Sequence, residues 1–204
     1  RTKSLDYNQK RILYFIPIIV FVLLISFLFH ILQKKDENAL KVRAPVAVGM
    51  SLPVIEYQNT SYNGTVYSGF KSSDLKKNDL SVINIWASWC TPCRAEHEIL
   101  MKIKDLNIPI YGINYKDKLE NASKFLEELG NPFFGLGFDL DGVSAITLGV
   151  YGIPETFFID SRGVVIKRHI GPLTLNELEE VSSYYQIDEK LDVSFFIINY
   201  NQSN

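Results

Sequence analysis

Hydrophobic and polar positions divide this chain into two unlike parts. From Ile12 to Leu32 there is no formal charge, and only Pro17, Ser26 and His30 interrupt an apolar run. As a helix the run would span roughly 30 Å, the hydrocarbon thickness of a bilayer. It predicts a transmembrane helix. The alternative is a cleaved signal peptide, but the run exceeds an ordinary h-region and Ala44-Pro45 makes a poor cleavage site. Lys3, Lys10 and Arg11 precede the run and Lys34, Lys35, Lys41 and Arg43 follow it, so counting basic residues leaves the sidedness open. His30 reads as a side chain that snorkels to the interface. The expected divisions are a polar N-terminus (1–11), an anchor (12–32), a tether (33–48), a globular domain (49–185) and a tail (186–204).

After Gly49 the pattern changes period. Val54–Tyr57 and Thr65–Tyr67 predict short strands around the Asn63-Gly64 turn, and Ser72–Lys77 a helical turn. Leu80–Ile85 predicts a strand buried on both faces. The helix expected after Cys90 carries Ala95, Ile99, Leu100, Ile103 and Leu106 on its apolar stripe. A second buried strand follows at Ile108–Ile113. Asp117 with Glu120 looks like a capping box for a helix bearing Leu119, Ala122, Phe125, Leu126 and Leu129, which Gly130 and Pro132 end. Phe133–Phe138 predicts a short extended segment and Val143–Leu148 a short helix. Thr156–Ile159 and Val164–His169 predict a strand pair. Thr174 and Glu177 then open a last helix with Leu175, Leu178 and Val181. The order β-α-β-α-β-β-α predicts an α/β domain, a mixed central sheet with helices on both faces.

Composition narrows the function. A net charge of -2 over 204 residues gives no electrostatic case for a nucleic-acid partner. The chain has two cysteines, Cys90 and Cys93. That is too few for a disulfide-stapled fold, and a ring so small has little value as a staple. Half of a zinc site is the other possibility, but the only histidines are His30, His97 and His169 and there is no second Cys-x-x-Cys. No metal and no cofactor beyond the cysteine pair is expected. Asp139-Leu140-Asp141-Gly142 reads as a turn, because no Glu follows at calcium-loop spacing.

Cys-x-x-Cys at a strand-to-helix junction is a thioredoxin-like redox motif. Unpaired N–H groups and the positive dipole end of a helix stabilise a thiolate there. Cys90 is expected to be exposed and to attack. Cys93, one turn in, is expected to be shielded and to resolve the mixed disulfide. Trp89 is expected to flank Cys90. Glu96 lies three residues after Cys93 on the same helix face. Glu155 follows Pro154 and is expected to approach the pair; a carboxylate there raises a thiol's pKa and can exchange its proton. Asn84 stands where thioredoxins carry a buried acid. A solvated surface charge is the plainer reading of Glu96, and an ordinary trans proline that of Pro154.

Trp86-Ala-Ser-Trp-Cys-Thr-Pro-Cys-Arg-Ala-Glu-His97, Asn114-Tyr-Lys-Asp117, Leu129-Gly-Asn-Pro132 and Gly149-Val-Tyr-Gly-Ile-Pro-Glu-Thr-Phe157 together resemble the DsbE/CcmG family. These are membrane-anchored periplasmic thioredoxin-like proteins of cytochrome c biogenesis. The resemblance covers roughly residues 45–185. It implies a thioredoxin-like fold with a cis bond at Pro154, leaving the Ile153 backbone free to pair with a client by strand addition. It implies that Cys90 attacks, Cys93 resolves, and Glu96 and Glu155 tune them. It further implies a protein-disulfide reductase in the bacterial inner membrane, with its domain on the periplasmic side. The clients would be apocytochrome c or a cytochrome c maturation protein, and a DsbD/CcdA-type membrane donor would recharge it. Three rivals stand beside this reading: a TlpA- or ResA-type tethered reductase with another client, a disulfide-forming oxidase, and a redox-silent thioredoxin-fold binding module.

Overall fold

A computed structural model describes the backbone of residues 7–33 and 46–184, with side chains over 15–30 and 46–180. The chain divides into two units, Arg1–Val42 and Arg43–Asn204. Among the described residues the first holds one helix, α1 (Tyr7–Gln33), with Pro17 inside it. Its described side chains are all exposed, among them Phe15, Phe21, Leu23 and Phe29. Among the described residues no helix is long and apolar enough to cross a membrane. The described side chains stop short of the roughly 20 residues a span requires, so both ends of the expected anchor fall outside them. Most of the expected tether and all of the tail, 186–204, lie outside the described residues.

The second unit is the α/β domain. It opens with a hairpin, β1 (Thr60–Tyr62) and β2 (Thr65–Tyr67), closed by Asn63-Gly64, both at positive φ. The turn was legible, but its first strand is Thr60–Tyr62 rather than Val54–Tyr57. That earlier segment makes only an isolated bridge, Glu56 to Lys71. Then follow α2 (Ser72–Leu75), β3 (Leu80–Trp86), α3 (Thr91–Asp105), β4 (Ile110–Tyr115), α4 (Leu119–Leu129) and β5 (Gly135–Asp139). The domain continues with α5 (Val143–Leu148), β6 (Glu155–Asp160), β7 (Val165–Ile170) and α6 (Leu175–Tyr184). Five of the described strands form one sheet in the order β5-β4-β3-β6-β7.

β3, β4 and β5 run parallel and β6 and β7 antiparallel to their neighbours, so the sheet is mixed, as expected. β5 is a full member of it and not merely an extended segment. Its two glycines, Gly135 and Gly137, dilute the apolar signal that marks β3 and β4. Two successive right-handed crossovers stepping in one direction, β3-α3-β4 and β4-α4-β5, put both helices on one face. Core residues sort accordingly. Val82, Trp86, Ile110 and Phe158 join α3, α4 and Leu178 of α6 in one cluster; Ile83, Ile85, Tyr111, Ile113, Phe157 and Ile159 join Leu75 and Leu148 in the other. β3 is buried at every position, which is why its sequence is a near-continuous apolar run.

Gly112 is a close-packed point on the α3/α4 face. It pairs with Asn84 across the ladder, and a Cβ there would meet the Phe133 ring at 2.7 Å. Phe133 in turn stacks on Trp86 with centroids 5.3 Å apart. Gly112→Ala is expected to destabilise the domain by about 1–3 kcal/mol through overpacking. Urea unfolding with an unchanged slope and a lower midpoint would show it; an unchanged midpoint would mean that the aromatic pair moves aside freely.

Candidate active site

The site is built where β3 ends and α3 begins. Cys90 is the N-cap residue of α3, in extended conformation, and Pro92 lies in the first turn, where no N–H is needed. Cys90 and Cys93 are joined by a disulfide. The Cys93 N–H donates to Cys90 Sγ at 3.2 Å, so a first-turn amide of the helix points at the sulfur expected to carry the negative charge. Both cysteines are buried, Cys90 at 4% exposure and Cys93 at 2%. The expected contrast between an exposed Cys90 and a shielded Cys93 is absent, because Cys90 Sγ lies over the first turn, where the Cys93 N–H donates to it.

Beneath the pair the α3 face is polar. Of the expected stripe Ile99, Leu100, Ile103 and Leu106 are buried, but Ala95 is exposed, and Glu96 and His97 turn inward with Cys93 and Leu100. Those residues stand at i, i+3, i+4 and i+7, the spacing of one helix face. Glu96 is 1% exposed. Its Oε1 accepts from Asn84 Nδ2 at 2.8 Å and its Oε2 from the Leu173 N–H at 2.7 Å. Burial dominates these two bonds and pushes the carboxyl up to about 7. Asn84 Nδ2 also donates to Thr156 Oγ1 at 3.0 Å, while Asn84 Oδ1 has no partner. Turning the amide over would let Oδ1 accept from a protonated Glu96, so the trio fits the acid as well as the carboxylate. His97 is packed: its Nε2 donates to the Gly130 carbonyl at 3.0 Å, its ring meets Phe125 edge-on, and burial lowers its pKa.

Asp117 was expected to cap a helix, and it does something else. The N-cap of α4 is Lys118, with no side-chain cap bond. The Asp117 carboxylate instead accepts from the Ser88 N–H at 2.6 Å, the Ser88 hydroxyl at 2.9 Å, Asn114 Nδ2 at 3.1 Å and the Lys118 N–H at 2.8 Å. Trp89, 57% exposed, donates its indole N–H to the Lys116 carbonyl at 3.2 Å. The segment after β4 therefore holds both residues that lead into Cys90. Asn114-Tyr115-Lys116-Asp117 flagged this edge, but the sequence carries no sign that the acid reaches back to Ser88. Asp139 likewise serves a helix end, accepting from the Ser144 and Ala145 N–H groups at the start of α5.

The Ile153–Pro154 peptide is cis. Ile153 packs against the cluster that contains both cysteines. Glu155 departs from expectation. It pairs with Ile85 across the ladder while Thr156 pairs with Asn84, and side chains alternate faces along a strand. Asn84 and Thr156 therefore face α3 and Glu96, and Glu155 faces the opposite side. There it is fully buried and ion-paired with Arg168, and its Oε2 accepts from the Tyr151 N–H. Glu155 does not meet the cysteine pair; Thr156, which the sequence reading passed over, occupies that side. Counting strand parity from Asn84 would have found it once the pairing register was known.

A mixed sheet with the β-α-β core before an antiparallel pair, a Cys-x-x-Cys disulfide capping the first core helix, and a cis-proline at the facing strand define a thioredoxin-like thiol:disulfide oxidoreductase. The Redoxin family model matches residues 47–187. The DsbE thiol:disulfide interchange protein of Yersinia pestis is 37% identical over 162 residues, 79% of this chain and 85% of that protein. The CycY thiol:disulfide interchange protein of Rhizobium leguminosarum bv. viciae is 46% identical over 102 residues, covering 50% of this chain and 55% of that one. A crystal structure from Chlorobium tepidum, described as a thiol:disulfide interchange protein DsbE, superposes with a TM-score of 0.56 at 26% identity, over 69% of this chain and 98% of that one. The chain belongs to the Redoxin family, among its DsbE thiol:disulfide interchange proteins.

The raised Glu96 pKa has a signed consequence for stability. Folded Glu96 keeps its proton up to about pH 7, whereas the unfolded carboxyl loses it near 4.5. The native state then binds more protons across that window, so stability falls as pH rises from about 4.5 to 7, by roughly 3 kcal/mol at about 1.4 kcal/mol per unit. His97, with its pKa lowered, acts in the opposite direction below 6.5. The readout is therefore the difference between wild type and Glu96→Gln in the oxidised form. Denaturant unfolding at pH 5, 6 and 7.5 is expected to show the variant gaining on the wild type with pH; parallel profiles would remove Glu96 as the titrating group.

Proposed function

We propose that the chain is a membrane-anchored reductant of cytochrome c maturation. It keeps the haem-attachment cysteines of apocytochrome c reduced, directly or through a maturation partner. The observation that carries the reading is the position of Glu96, a buried carboxyl one turn from Cys93 with a pKa near 7. A helix N-terminus alone would stabilise the Cys90 thiolate, favour the reduced form and make the pair an oxidant. As pH approaches 7 this carboxyl ionises, and its negative charge then opposes a thiolate in the same low-dielectric space. It favours the disulfide, and a pair whose disulfide is stable gives its electrons away.

In the proposed cycle the Cys90 thiolate attacks a client disulfide and forms a mixed disulfide. Cys93 then attacks Cys90 Sγ, the client leaves as a dithiol, and the Cys90–Cys93 bond remains. Glu96, one turn beyond Cys93 on the same buried helix face, takes the Cys93 proton in its ionised form. Trp89 and the Ile153 backbone beside cis-Pro154 form the client-facing wall, where an extended segment pairs by strand addition. No cofactor beyond the cysteine pair takes part. A DsbD/CcdA-type membrane donor returns the electrons. The described side chains of α1, all exposed and apolar but for Ser26 and His30, support an anchor in a bacterial inner membrane, with the domain periplasmic. The DsbE relatives, matched over most of this chain, favour cytochrome c maturation over other tethered reductases.

Cys93→Ser leaves Cys90 able to attack but removes the group that releases the client. Expressed as the full chain, the variant is expected to accumulate mixed disulfides through Cys90 with c-type apocytochromes or their maturation proteins. A trapped set lacking both would replace the client assignment with that of another tethered reductase. No trapped species at all would favour a binding module.

A further inference from the structure

Arg168 sits in β7 beside Phe157 of β6, on the sheet face away from the cysteines. Every arm of its guanidinium is occupied. Nε donates to Glu155 Oε1, Nη1 to the Val46 carbonyl at 3.0 Å and Nη2 to the Gly149 carbonyl at 2.7 Å. Its plane also lies over the rings of Tyr151 and Phe157, 5.1 Å from each centroid. Glu155 closes the circuit by accepting from the Tyr151 N–H at 3.2 Å. The loop from Gly149 to Glu155 is thus gripped at its first carbonyl, at its third residue by amide and ring, and at its last side chain. Val46 is held twice, since its own N–H donates to the Leu148 carbonyl at 3.1 Å.

This is much machinery for a loop with little regular structure of its own. A buried ion pair gives little net stability and costs several kcal/mol when one partner is removed. A hydrophobic pair of equal volume would hold the sheet faces together as well. What it could not supply is direction: only a planar fork with fixed donor angles sets two separate carbonyls and a carboxylate at once. The segment so placed contains Ile153 and Pro154, the edge offered to a client.

We propose that Arg168, with Glu155 as its counter-ion, is the positioning residue of the client-pairing loop, setting the Ile153 backbone at the height at which an extended disulfide-bearing segment meets Cys90. Glu155 is then a positioning residue as well, acting through the loop and not on the thiols. The inference rests on the proposed reductase reading. The step it serves is balanced: the reduced protein gives two electrons and two protons to the client disulfide, which becomes a dithiol, while Cys90 and Cys93 become the disulfide.

The test uses the reduced full chain in single turnover against a synthetic peptide with an internal Cys-x-x-Cys disulfide, following the rate against peptide concentration. Arg168→Lys keeps a cation beside Glu155 but loses the fork. It is expected to raise the half-saturating concentration about tenfold, as two carbonyl hydrogen bonds are lost. Arg168→Met and Glu155→Gln each strand a buried partner and lower the melting temperature. The double variant Glu155→Gln/Arg168→Met removes both charges. It is expected to regain much of the melting temperature while keeping the raised half-saturating concentration. If half-saturation returns to the wild-type value together with the melting temperature, Arg168 is a structural pillar and the inference fails. If the loss lies in the limiting rate and tracks a changed redox potential, Glu155 acts on the thiols and the inference fails in the other direction. A wild-type protein that leaves the peptide oxidised overturns the reductase reading itself, before any variant is compared.

Discussion

The proposed reductase depends on the charge balance at the start of α3. Helix geometry leaves N–H groups free at the N-terminus, and one of them, from Cys93, points at Cys90 Sγ. By itself that favours a thiolate. Within one turn the same helix buries Glu96, whose carboxyl is raised to about 7 by desolvation. In the proposed account that carboxyl, once ionised, opposes the helix on the same pair of sulfurs. On that account their balance decides whether the pair holds electrons or gives them away. The surrounding core serves this arrangement: β3, buried on both faces, fixes the height of the helix start, and Asp117 and Lys116 hold Ser88 and Trp89 just before it.

Strand parity then sorts the remaining polar groups. Asn84 and Thr156 face each other across the β3/β6 ladder on the side of Glu96 and bond to one another. Glu155, one residue away, faces the other side and meets Arg168. Two acids that look equivalent in the sequence, each near a cysteine or the cis-proline, therefore take different work. One shares the thiols' buried side of the sheet; the other binds Arg168 and the Tyr151 N–H beside the loop proposed to face a client. The sheet keeps them apart by nothing more than the alternation of side chains.

Much of this was legible in the chain. The cysteine spacing, the strand before it and Pro92 after it marked the site, and the period-2 and period-3.6 patterns marked most elements. What was missed has physical causes. β5 was under-read because Gly135 and Gly137 carry no side chains to announce a buried strand. On α3 the apolar stripe was right from Ile99 to Leu106, but Ala95 was taken for its first turn because apolar residues were followed, while the inward face there uses Glu96 and His97. Glu155 was assigned to the cysteine side because parity has meaning only once a register is known, and register is a tertiary property. Asp117 was taken for a cap because a local pattern cannot reveal a partner as distant in sequence as Ser88.

The central claim is that Cys90 and Cys93 form a reducing pair because Glu96 opposes the helix. Equilibrating the full chain with a dithiol/disulfide buffer of known potential measures this directly. The account predicts a potential at or below about -200 mV, towards the thioredoxin end of the range, and a higher value for Glu96→Gln. A wild-type potential near -120 mV, that of a strong oxidant, or a Glu96→Gln variant with an unchanged potential, would contradict it.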